Sequence, residues 1–113
     1  MQIQGKFEHA IVKALVYKLA AAGFVPVKVW DGGEYVEART ADEVIDAAFS
    51  VDEATIHFAP QGAPETWGRF GVFVVPGNGA DIISDFHCGN PTFTAAIEAV
   101  SAGLDGAIVE VRI

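Results

Sequence analysis

The chain has 113 residues, 51% of them hydrophobic, a single cysteine and a formal net charge of −8. That length suffices for one domain, residues 1–113, with its own core and no disulfide or metal staple, and the apolar fraction excludes a disordered chain. A lone Cys88 excludes an internal disulfide and points to the reducing cytoplasm, while Lys13 and Lys18 interrupt the N-terminal stretch well short of the roughly 18 apolar residues a membrane span requires.

The charge is unevenly spread. Residues 1–28 carry four lysines against Glu8, a balance of +3. Residues 29–53 carry eight carboxylates, Asp31, Glu34, Glu37, Asp42, Glu43, Asp46, Asp52 and Glu53, against Arg39, a balance of −7. The remainder holds six carboxylates against Arg69 and Arg112, or −4. Direct nucleic-acid binding is disfavoured, since it depends on basic side chains displacing counterions from phosphates. A basic partner protein suits this distribution better.

In chain order, a helix is predicted from Phe7 to Ala22, with Phe7, Ile11, Ala14, Leu15 and Leu19 on its buried stripe, Glu8, His9 and Lys13 away from it, and Gly23 as its cap. Its lysines and Glu8 distinguish it from a signal peptide. Residues 24–38 read as a hairpin in which Val25, Val27 and Val29 alternate with Lys28 and Trp30, Asp31-Gly32-Gly33 makes the turn, and Tyr35-Val36-Glu37 returns. Pro26, lacking an N–H, predicts a sheet edge or an open side at that point. Thr40 followed by Glu43 is a capping-box pattern and opens a helix with Ala41, Val44, Ile45, Ala48 and Phe49 inward.

Ala54 to Ala59 reads as a strand with Ile56 and Phe58 inward and Thr55 and His57 outward; a Gly/Pro loop carrying Trp67 follows. Phe70 to Val75 is apolar on both faces, as in a central strand, Pro76 to Gly79 is a turn, and Ile82 to Cys88 is a further strand. Asn90-Pro91 starts a third helix bearing Phe93, Ala96, Ile97 and Val100, and residues 107–113 alternate as a last strand. The fold class is α+β, a mostly antiparallel sheet with three helices in the order α-β-β-α-β-β-β-α-β. The last strand's edge and the high apolar fraction allow a homodimer.

Candidate chemistry is sparse. Pro76-Gly77-Asn78-Gly79-Ala80-Asp81 follows a strand as a phosphate loop does, but it lacks the Lys-Ser/Thr pair and the G-x-G-x-x-G spacing, so a hairpin turn accounts for it. Strand alternation sets Cys88 beside Phe86, as a quiet core residue, and away from His87, which makes a Cys-His nucleophilic pair geometrically poor. Ser84 and His87 likewise project to opposite faces, without a nucleophile elbow. His57, Asp85 and His87 share the less apolar faces of strands and could form an open metal site if those strands are neighbours; half-buried histidines in ordinary hydrogen bonds are the plainer explanation. Trp67 reads either as an exposed contact anchor or as a loop tryptophan folded back over the sheet.

The stretches Ala48-Phe49-Ser50-Val51-Asp52-Glu53 and Gly77 to Phe86, with its G-N-x-x-D-x-I-x-D-aromatic pattern, resemble small proteins encoded by phages, prophages and plasmids. That resemblance brings no catalytic residues. It implies an accessory protein that binds and blocks a host defence protein, as anti-CRISPR and anti-restriction proteins do. The expected function is accordingly non-enzymatic and cofactor-free. Inhibition of a basic, nucleic-acid-handling protein would run through Asp31, Glu34, Glu37, Asp42, Glu43, Asp46, Asp52, Glu53 and Trp67. The alternatives are a small metal-dependent or ligand-binding enzyme using His57, Asp85 and His87, and a structural or oligomerisation module.

Overall fold

The computed structural model describes residues 2–76, 82–87 and 91–100, with backbone alone for residues 2–7, 69 and 84–87. Helix α1 spans Gln2–Ala21, and strands β1 (Phe24–Trp30) and β2 (Tyr35–Glu37) form a hairpin. Helix α2 (Ala41–Ala48) and strand β3 (Ala54–Pro60) follow. A 3₁₀ segment, η1 (Pro64–Arg69), precedes β4 (Phe70–Val74) and β5 (Ile83–His87), and residues 91–100 form helix α3. The sheet order is β2-β1-β3-β4-β5, and every neighbouring pair is antiparallel. This is the predicted α+β order through the third helix. The predicted last strand, Cys88, Asn90 and, after Pro76, the rest of the turn predicted from Pro76 to Gly79 lie outside the described residues.

One sheet face is packed by the helices. Ile11, Leu15 and Leu19 of α1, Val44 and Ala48 of α2, and Phe93 and Ile97 of α3 join Phe24, Val29, Ile56, Phe58, Val72 and Val74 in one buried cluster. Phe93 holds the centre of an aromatic group, its ring 5.1 Å from Phe24, 5.4 Å from Phe70 and 5.9 Å from Phe58. Burying a side chain of this size contributes about 1.5–3 kcal/mol.

The buried stripe of α1 is rotated from the one expected. Glu8, Ile11, Val12, Leu15, Val16 and Leu19 are buried and Ala14 is exposed. Positions 8, 11, 12, 15, 16 and 19 form an unbroken 3.6-residue stripe, so the packing of its valines carries Glu8 inward despite its charge. Phe7 lies outside the described side chains. Gly23, at φ +96, closes the helix as expected, its N–H donating to the Ala20 carbonyl.

At Pro26 the structure shows the open side of the two arrangements expected. Strand β1 lies between β2 and β3 rather than at an edge. Its ladder to β3 is Val25↔Ala59 and Pro26↔Phe58, then Lys28↔His57 and Val29↔Ile56, with a register shift between Pro26 and Lys28. On the other side β2 pairs only with Lys28, Val29 and Trp30, so Pro26 stands beyond its reach. The missing N–H is accommodated by this open side and the bulge. The bulge also breaks the alternation: Phe24 and Val29 join the core cluster, whereas Val25, paired with Ala59, belongs to the opposite face.

Helix α2 matches its sequence signature. The Glu43 N–H donates to Thr40 Oγ1 at 3.2 Å, while Glu43 Oε1 accepts from the N–H groups of Thr40 at 3.3 Å and Arg39 at 2.9 Å. Such a cap contributes about 1 kcal/mol.

Candidate functional site: the helix-free corner of the sheet

Register fixes what stands on the face away from the helices. Lys28 pairs with both Glu37 and His57, and Trp30 pairs with both Tyr35 and Thr55. Trp67, carried by η1, folds back onto this row. Its ring centroid is 5.2 Å from His57 and 5.1 Å from Tyr35, both near edge-to-face, and Lys28 Nζ lies 5.6 Å from its centroid. Tyr35 stands 4.7 Å from Trp30 and 5.7 Å from His57. Both tryptophans of the chain thus belong to one aromatic corner.

Burial grades across this corner. His57 is only 9% exposed, Trp30 and Trp67 are half-buried, and Tyr35 remains 50% exposed on the edge strand. Two sequence expectations are refined. His57 does lie opposite Ile56 and Phe58, yet it is covered rather than outward, because Trp67 and Tyr35 close over it. Of the two readings of Trp67, the structure shows the folded-back one, with part of the ring still accessible.

The acidic residues divide by what they touch. Asp31 Oδ1 accepts from the N–H groups of Gly33 and Glu34 at 2.9 and 2.8 Å, which ties the hairpin turn and, Glu34 first, holds its carboxyl below the ordinary aspartate pKa. Glu43 caps α2, and Glu37 is paired with Arg39 at 3.1 Å, an exposed bridge of little energetic weight. Asp42 stands in the first turn of α2, where the helix dipole favours it. Glu34, Asp46, Asp52 and Glu53 are exposed and make no side-chain hydrogen bond or ion pair with a described residue. Asp46 lies in the last turn of α2, which has no basic residue, so the helix dipole opposes it.

Topology brings three of these four, Glu34, Asp52 and Glu53, to one end of the sheet. The turn from Asp31 to Glu34 continues the Trp30↔Tyr35 pair, and Trp30 is opposite Thr55, so Asp52 and Glu53 approach β3 at that same end. Helix α2 runs toward it, delivering the chain through Phe49 to Val51. Glu37, Asp42 and Glu43 sit at the other end, around the start of α2. The eight acidic residues are therefore two groups, four built into the fold and four left exposed, of which Glu34, Asp52 and Glu53 flank the aromatic corner while Asp46 stands on α2, over the other sheet face.

The alternative constellation is placed by backbone register only. Gly71 stands opposite both His57 and His87, and Phe73 opposite Asp85. The strands are thus close, but the side chains of Asp85 and His87 lie outside the described residues. Among the described residues no three His, Cys, Asp or Glu side chains gather as a metal site. No helix described is long and apolar enough to cross a membrane.

Sequence reasoning missed Trp30, Tyr35 and Lys28 as site residues. The available signal was that both strands of the hairpin place aromatic and charged residues at alternate positions, Lys28 and Trp30 on one, Tyr35 and Glu37 on the other. No family model matches the chain, and no curated protein or solved structure is significantly similar to it.

Proposed function

We propose that this chain is a non-enzymatic binding protein that engages a basic, nucleic-acid-handling partner through the turn end of its sheet. The observation that carries this reading is that Glu34, Asp52 and Glu53 at the turn end, and Asp46 in the last turn of α2, are exposed and meet no cation among the described residues. A like-charged cluster is self-repelling, and Asp46 opposes its own helix dipole, so neither capping nor pairing accounts for the arrangement. Carboxylates presented together on a rigid sheet end take the place of phosphates in a basic groove and steer association from a distance. The resemblance of residues 48–53 and 77–86 to small mobile-element proteins supports a defence protein as that partner.

The test compares wild-type chain with the variant Glu34→Gln, Asp46→Asn, Asp52→Asn, Glu53→Gln as baits in a host-cell lysate, with and without excess duplex DNA. The expected result is a basic nucleic-acid-binding protein retained by the wild type, released by DNA and lost from the variant. Equal retention on a folded variant, or free chain alone on both, would overturn the reading.

A further inference from the structure

Resting on that reading, we infer that the aromatic corner formed by Trp30, Tyr35 and Trp67 is the docking site for an arginine-bearing segment of the basic partner. Tyr35 is the most exposed member, although its ring already contacts Trp30, His57 and Trp67. Those contacts fix the ring, so little side-chain entropy is lost when a second group packs on it. An exposed aromatic held rigidly by others is the form of an interface anchor.

Charge selects the occupant. The corner abuts the acidic group through the Asp31 to Glu34 turn on one side and Asp52 and Glu53 on the other. Ring faces attract cations, and Lys28 Nζ, 5.6 Å from the centroid of Trp67, shows a cation held this way within the chain. With Trp67 so engaged, Tyr35 and Trp30 are the rings left to an incoming cation. Arginine suits them better than lysine, because the planar guanidinium stacks on a ring while its N–H groups reach flanking carboxylates, and it is more weakly hydrated. A nucleic-acid base would also stack here, but its phosphates would meet the same carboxylates.

Because Trp30 and Trp67 are the only tryptophans, intrinsic fluorescence reports on this corner directly. The probes are a nonapeptide of alternating Arg and Gly, its Lys counterpart and a short oligothymidylate, titrated at several salt concentrations. The Arg peptide is expected to change the emission saturably, and the Lys peptide to bind about threefold or more weakly. Tyr35→Leu is expected to lower Arg-peptide affinity about fivefold, and Tyr35→Phe, which keeps the ring face, to restore most of it. Thermal melting of both variants establishes that they fold, as the half-exposed edge position leads us to expect. Equal binding of Arg and Lys peptides, saturable binding of the oligonucleotide, no response to the Arg peptide, or no effect of Tyr35→Leu would each overturn the inference. If the four-residue charge variant abolishes peptide binding while Tyr35→Leu leaves it intact, the acidic surface stands and the aromatic anchor falls; if neither variant alters it, both fall.

Discussion

Asp31 and Asp46 carry the same charge in the same acidic segment and do opposite things. Asp31 is a turn residue: its carboxylate satisfies two backbone donors that the hairpin would otherwise leave to water. Its folded-state pKa is depressed by those bonds, so the stability it contributes is present above the ordinary value of 3.8 and is lost as pH falls through the lower folded value. Asp31→Asn keeps an acceptor oxygen but removes the titration. Comparing melting temperatures across pH, the wild type should exceed this variant at neutral pH and the gap should close on acidification below 3.8; a gap that stays constant or widens would show that the charge of Asp31 is not what holds the turn. Asp46 has no such partner among the described residues and opposes the dipole of α2. Replacing it with Lys should therefore raise stability, by about 0.3–1 kcal/mol in urea titration. A fall in stability would mean that Asp46 serves the fold after all.

Elements were legible where local chemistry decides them. Thr40 and Glu43 specify the start of α2 by their own hydrogen bonds, and Gly23 ends α1 because the chain turns there through positive φ. What was not legible depended on neighbours. The inward turn of Glu8 follows from Val12 and Val16 packing in the core, a tertiary fact that a stripe drawn through Ala14 does not contain. Pro26 signals a missing donor, but a bulge beside a short partner strand and a true edge both satisfy that signal, and only the pairing of β2 with Lys28 to Trp30 separates them. The aromatic corner is of the same kind. Trp30 and Tyr35 can be paired from the hairpin alone, whereas Trp67 reaches them only because η1 crosses back over β3, and it is this crossing that buries His57.

Among the described residues, one sheet face is committed to the helices and the other keeps a half-exposed aromatic group beside exposed carboxylates. Of the basic residues of α1, Lys13 and Lys18 are exposed, yet the carboxylates at the turn end find no cation among the described residues. That separation leaves a field to act outward, which under the proposed function a basic partner meets. The most direct measurement is the association rate of the captured partner at ionic strengths on either side of physiological, for wild type and for the Glu34→Gln, Asp46→Asn, Asp52→Asn, Glu53→Gln variant. The wild-type rate should fall steeply as salt rises, because screening shortens the reach of the field. The variant should associate more slowly at low salt, with a flatter dependence and a dissociation rate changed much less. Superimposable salt dependences for the two folded proteins would place the interaction elsewhere on the molecule and contradict an interface built on these carboxylates.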